Sequence, residues 1–144
     1  MYYGQFNHTL DKKDRLILPS KHREVARKHK IKRFFLTRGL DSCLFLFAES
    51  QWKLYEERFA SLSFTRRESR QFNRLFFSGA QEIIPDSQGR ILIPSFLKEY
   101  AHISKNIIIV GVSDRIEIWA QSIWEEFYKK HESKFEDVAE KIIE

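Results

Sequence analysis

Two aspartates, each followed four residues later by an arginine, are the residues in this sequence best placed to do chemistry. The pairs are Asp11 with Arg15 and Asp86 with Arg90. An aspartate can accept hydrogen bonds from the amides of its own turn, and a guanidinium presents a planar fork of five donors. Each pair therefore predicts a structured polar loop that displays an arginine, a group suited to phosphate oxygens or to the edge of a base.

These pairs belong to a longer internal repeat. The segments 4–20 and 79–95 align without a gap at an offset of 75 residues, with Gly, Asp, Arg, Pro and Ser in register. A second block aligns at an offset of 72, which places Trp52 on Trp124. Because repeated sequence predicts repeated structure, we expect two α+β halves about a pseudo-twofold axis. The N-terminal half, with its linking helices, spans 1–75 and the C-terminal half spans 76–144.

The elements that position the pairs follow from local patterns. The aliphatic runs 16–18 and 91–93, each closed by Pro-Ser, predict buried strands after polar loops in hairpin-like units. Phe6, His8 and Leu10 alternate with polar residues, which predicts a half-buried strand before the first loop. Serine or threonine caps predict four helix starts, at Ser20, Ser50, Thr65 and Ser122.

Positive charge is concentrated around the first pair. The net charge is +5, and residues 11–38 carry eleven Lys or Arg against three acids, whereas residues 114–144 carry nine acids against five Lys or Arg. A clustered basic surface indicates a polyanionic partner. The candidate nucleic-acid contacts are Arg15, Lys13, Lys12, Lys21, Arg23 and Arg90, and the candidate loop-structuring residues are Asp11, Asp86 and Gly89. The second loop has Arg90 as its one cation, so the first loop is the stronger candidate.

The remaining composition argues against several classes of protein. A single Cys43 excludes an intramolecular disulfide framework, and five scattered histidines form no metal-binding motif. We predict no metal, no cofactor, no membrane span and no enzymatic activity, in a cytoplasmic protein. Two alternatives remain open: a phosphoryl-transfer or hydrolytic enzyme that uses the Asp/Arg loops, and an RNA-binding module whose aromatics stack on bases.

The doubled Asp-x-x-x-Arg signature with its aliphatic-Pro tails resembles the MraZ family of bacterial transcription regulators. Each half of these proteins is similar to the AbrB/SpoVT swapped-hairpin module. The resemblance implies a small β-barrel-like core with flanking helices and a closed homo-oligomeric ring, an octamer or a related assembly. It also implies a nucleoid-associated repressor that binds short direct repeats in double-stranded DNA upstream of the cell-division and cell-wall gene cluster.

One loop position departs from the family pattern. Asp14 stands where the family usually has glycine before the arginine. Aspartate tolerates positive φ better than most residues, so we expect the turn to survive.

A bracing role is the alternative for Arg15 and Arg90, in which each arginine only pairs with a nearby carboxylate.

Overall fold

The computed structural model describes residues 1–143, which form eight strands and six α-helices. The strands are β1 (Gln5–Thr9), β2 (Arg15–Ile17), β3 (Phe34–Arg38), β4 (Leu44–Ala48), β5 (Gln81–Ile83), β6 (Arg90–Leu92), β7 (Asn106–Val112) and β8 (Arg115–Ala120). The helices are α1 (Ser20–Lys28), α2 (Glu49–Ala60), α3 (Arg67–Ser78), α4 (Ser95–Tyr100), α5 (Gln121–His131) and α6 (Phe135–Ile142), with a 3₁₀ turn (Glu132–Lys134) between the last two.

Strands of the two halves interleave in two antiparallel sheets. The larger has the order β1-β7-β8-β4-β3-β5, and the smaller is the pair β2-β6. The order is symmetric about the β8–β4 contact. A pseudo-twofold axis there exchanges β8 with β4, β7 with β3 and β1 with β5. The predicted α+β fold of pseudo-twofold, swapped-hairpin halves is confirmed. However, β1 does not pair with β2 as in a simple hairpin, because β1 pairs with β7 and β2 with β6.

One hydrophobic cluster lies between the two sheets. The small sheet contributes Leu16 and Ile91, both 1% exposed, and the large sheet contributes the fully buried Leu44 and Ile118. Neither half could enclose this core alone, because each half supplies three strands of the large sheet and one of the small sheet, interleaved with those of the other half. A leucine-to-alanine change in such a core costs about 2–5 kcal/mol.

A second, aromatic cluster holds α2 and α3 against the large sheet. Trp52 stacks on Phe35 at 5.0 Å and on Phe76 at 5.5 Å between ring centroids. Phe72 and Phe76 form the inner side of α3, whereas Leu75 lies on the outside and is 52% exposed.

The predicted helix starts are near the observed ones, but the predicted capping is wrong. The helices begin at Ser20, Glu49, Arg67 and Gln121, and none has a side-chain cap hydrogen bond. Strands β4 and β8 run directly into α2 and α5, so Ala48 and Ala120 occupy the N-cap positions. The hydroxyl of Thr65 bonds to Ser63 instead. Helix α6 was not predicted as a separate element.

Candidate nucleic-acid interface

The first loop folds around the carboxylate of Asp11. Its Oδ1 accepts the backbone N–H groups of Lys13 at 2.8 Å and of Arg15 at 3.0 Å, and its Oδ2 accepts Nε–H of Arg15 at 2.8 Å. The backbone N–H of Asp14 also bonds to the Asp11 carbonyl at 3.0 Å. The backbone N–H donated by Arg15 is the main reason that the pKa of the Asp11 carboxyl lies below its usual value. The loop is thus held closed by an ionised aspartate.

The second loop repeats this geometry closely. Oδ1 of Asp86 accepts the N–H groups of Gln88 and Arg90, both at 2.9 Å, and Oδ2 accepts Nε–H of Arg90 at 2.7 Å. The N–H of Arg90 again lowers the pKa of the aspartate carboxyl. Corresponding bonds in the two loops differ by about 0.1 Å, which is strong evidence that the loops are structural copies.

Each loop also contacts a basic residue on a helix of the other half. Asp14, at φ 60°, bonds through Oδ1 to Nζ of Lys98 at 2.7 Å. Gly89, at φ 77°, is covered by Arg23, and a Cβ on this glycine would lie 2.6 Å from Cδ of Arg23. Lys98 and Arg23 are equivalent in the repeat. The same contact between loop and helix is therefore an ion pair in one half and van der Waals packing on a glycine in the other. The negative charge of Asp14 is balanced by Lys98, which sequence reasoning missed.

Arg15 and Arg90 lie on one face of the two-stranded ribbon formed by β2 and β6. Arg15 is paired with Leu92, and Ile17 with Arg90, while the central pair of Leu16 and Ile91 points into the core. Alternation along each strand places the two arginines on the outer face together with Ile17 and Leu92.

The outer face of this ribbon corrects one sequence expectation. The runs 16–18 and 91–93 were predicted to be buried throughout, but Ile17 is 45% exposed and Leu92 is 55% exposed. Their neighbours in the same runs are buried. The signal that could have found them is the strand period of two, which must turn the middle residue of each run outward once the flanking residues face the core.

The two guanidinium groups are partly committed and partly available. Both arginine side chains are 27% exposed, and both line a cleft of about 360 Å³ beside β5. In residues 1–143, their terminal nitrogens make no hydrogen bond, because only Nε of each is bonded to its aspartate. The bracing role is therefore real, yet it leaves the outward N–H groups of each fork for an external acceptor.

The other predicted contacts occupy different environments. Lys12 and Lys13 are exposed at the tip of the first loop, and Lys21 is exposed on the first turn of α1. Arg23 is half-buried against Gly89 and less available than the lysines. The corresponding tip of the second loop has the neutral Ser87 and Gln88, so the two loops differ in charge although their backbones agree.

A buried histidine lies where α1 packs against the N-terminal segment. His22 of α1 is 1% exposed and packs edge-on against Tyr2 and Phe6, with ring centroids 5.3 and 5.2 Å away. Burial lowers the pKa of His22 to about 4, so the ring is neutral near pH 7. It is a packing residue, and its place opposite Tyr2 ties α1 to the N-terminus.

Residues 1–143 were considered for a metal centre and a membrane span as well, and they provide neither. No three His, Cys, Asp or Glu side chains cluster there in a way that could hold a metal ion. None of the described helices combines the length and apolar composition needed to cross a membrane.

The sequence matches known proteins over its whole described length. The family model described as "MraZ protein, putative antitoxin-like" matches residues 1–75 and again 76–144. The chain is 42% identical over 144 residues to a protein of Carboxydothermus hydrogenoformans named transcriptional regulator MraZ. This alignment covers 100% of the chain and 98% of that protein. It is 46% identical over 142 residues to the protein of the same name from Caldanaerobacter subterraneus subsp. tengcongensis, with 99% and 96% covered. With its doubled Asp-x-x-x-Arg loops and interleaved halves, this chain belongs to the MraZ family.

Proposed function

We propose that this protein is a transcriptional regulator that binds double-stranded DNA sequence-specifically and acts as a repressor. Its targets are short direct repeats upstream of the cell-division and cell-wall gene cluster. The relatives named transcriptional regulator support the general role. The observation that carries the DNA-binding part is the ribbon face, on which two arginines with free terminal nitrogens flank two exposed aliphatic side chains.

The dimensions of the ribbon suit the major groove of DNA. Two paired strands are about 4.8 Å apart, and the major groove is about 12 Å wide and admits a two-stranded β-ribbon. Arginine can bond to O6 and N7 of guanine, and an aliphatic side chain can contact the methyl group of thymine. Because Nε of each arginine is held by its aspartate, the remaining end of each fork is oriented before DNA binds, which lowers the entropy cost of contact.

Phosphate contacts come from the cations around the first loop. Lys12, Lys13 and Lys21 are exposed and lie on the loop tip and the following helix. Cations at such positions neutralise phosphates and set the register of the protein on the duplex without reading its sequence. Arg23 contributes less directly, since it covers Gly89 in the second loop.

We also propose that the chain acts as two repeat units, 1–75 and 76–144, within a homo-oligomeric ring. A ring of identical subunits presents several ribbons to several copies of a repeated site, and simultaneous binding would raise the affinity through effective concentration. The protein would be cytoplasmic and associated with the nucleoid, where such sites are found.

The test is genome-wide footprinting with the full-length protein, followed by titration of the recovered duplex. We expect protected direct repeats, an affinity that falls steeply as salt rises because condensed counterions are released, and weaker binding to single-stranded RNA of the same sequence. Lys13→Ala should weaken binding to operator and random duplex alike and reduce the salt slope by about 1. Stronger binding to the RNA than to the duplex would contradict the proposal.

A further inference from the structure

Helix α6 carries an apolar stripe that faces solvent. Phe135 is 72% exposed, Val138 is 49% exposed and Ile142 is 74% exposed. Their spacing of three and four residues places them on one side of the helix. An isolated helix of eight residues is marginal in water and gains most of its stability from packing of its apolar face. The stripe therefore indicates a partner that the single chain does not provide.

The flanks of this stripe are acidic. Glu136, Asp137 and Glu140 are all exposed, and Lys141 is the one basic residue of the helix. A partner that covers the stripe and complements its charge must combine exposed apolar side chains with positive charge.

Such a surface exists elsewhere on the same chain, at the outer side of α3 and the turn before it. Phe64 is 79% exposed, and Leu62 and Leu75 are also exposed. The same segment carries three exposed arginines, Arg66, Arg67 and Arg74, and one exposed acid, Glu68, so its charge is positive on balance. Nothing in the ribbon or its loops accounts for these residues.

The turn before α3 is held in place for such a contact. Arg70 donates from its terminal nitrogen to the carbonyls of Phe64 and Thr65, both at 3.0 Å. This pairing fixes the backbone that presents Phe64 to solvent. Because the surface is preorganised, a partner would lose less entropy on docking there.

We infer that α6 of one copy docks on the α3 surface of a second copy, with its apolar stripe against Phe64 and Leu75 and its acidic flanks against the arginines. The inference rests on the proposed self-assembly and specifies its contact. Two copies of α6 packed against each other would instead bring acidic flanks together, which is unfavourable. The two complementary surfaces differ, so the contact is heterologous, and each added copy leaves one of each surface free until a ring closes.

Two complementary variants test this contact. One removes the stripe by Phe135→Ala with Ile142→Ala, and the other reverses the charge of the receiving surface by Arg67→Glu with Arg74→Glu. All four side chains lie outside the hydrophobic clusters, so folding should be unaffected, and circular dichroism checks this. Sedimentation measures the mass of each variant alone and of the equimolar mixture. Leu40→Ala, at an exposed position in the β3–β4 turn, is the matched control for loss of an exposed apolar side chain.

Head-to-tail docking has a distinctive outcome. Each variant alone should be monomeric at a concentration where the wild type and Leu40→Ala assemble, and the mixture should form a dimer and stop there. The dimer forms because one partner retains α6 and the other retains the α3 surface. A charge-reversed variant that still self-associates through α6, or two variants that keep the wild-type mass, would overturn the docking alone. A monomeric wild type would overturn both the docking and the proposed assembly.

Discussion

Replacement of the ribbon arginines separates base reading from loop bracing. The variants are Arg15→Ala, Arg90→Ala and Arg15→Lys. The sequence predicts a dominant first loop, because the second loop has the neutral Ser87 and Gln88 at the positions of Lys12 and Lys13. In the structure, however, Arg15 and Arg90 are alike, since both have the same exposure and the same bonds to their aspartates. We therefore expect the two arginines to contribute similarly to base reading.

The expected magnitude follows from the donors left free on each fork. Loss of one bidentate contact to a base costs about 1–3 kcal/mol of discrimination, which is about a 5- to 150-fold fall in the ratio of operator to random affinity. We expect such a fall for each alanine variant, at a similar size for Arg15 and Arg90. Arg15→Lys should keep most of the salt dependence while the ratio falls, because lysine retains the charge but lacks the planar fork.

The assay is fluorescence anisotropy on the footprinted operator and on a scrambled duplex, with thermal unfolding measured in parallel. Bracing alone would lower the unfolding midpoint of both alanine variants and leave the operator-to-random ratio unchanged. That result, obtained with an oligomer of wild-type mass, would refute base reading by the ribbon. A fall in the ratio for Arg15→Ala with none for Arg90→Ala would confine reading to the first loop.

Changes at His22, Asp14 and Ile17 test the buried histidine, the first loop and the ribbon face in turn. The pKa of His22 is about 4 when folded and about 6.5 when unfolded, so the unfolded state takes up the proton first and stability falls by about 3 kcal/mol as pH drops from 6.5 to 4. Urea titrations across this range should show a smaller fall for His22→Leu, and equal falls would show that another group is responsible. Asp14→Gly releases Lys98 and should tighten binding to random duplex with a steeper salt slope, whereas unchanged binding would mean that Lys98 does not approach phosphate. Ile17→Ala should weaken binding to a thymidine-containing operator, with little effect on the same operator made with deoxyuridine; equal losses on both would exclude a methyl contact.

Short-range features of the site were open to prediction from sequence because their interactions span few residues. The turn at Asp11 is closed by bonds to residues two and four positions away, and positive φ at position 14 is compatible with aspartate. The repeat, the α+β class and the family also follow from the order of residues, since a duplicated pattern implies a duplicated structure.

Helix starts were predicted less well, for a local reason that depends on the strands before them. Serine at the start of a helix usually indicates a side-chain cap. Here β4 and β8 continue into α2 and α5 without a loop, and the last strand residue takes the cap position. Sequence alone does not show where the sheet hydrogen bonds end.

The two loops, their charges and the presence of two related halves can all be predicted from the order of residues. Packing over the whole chain, which local sequence does not show, set the pairing of β2 from one half with β6 from the other, and this pairing brings Arg15 and Arg90 to one face and turns Ile17 and Leu92 toward solvent. It also decided the contact of Lys98 with Asp14, 84 positions apart. These contacts depend on which surfaces can close a common core, and that choice is made by burial over the whole chain rather than by the residues nearest in sequence.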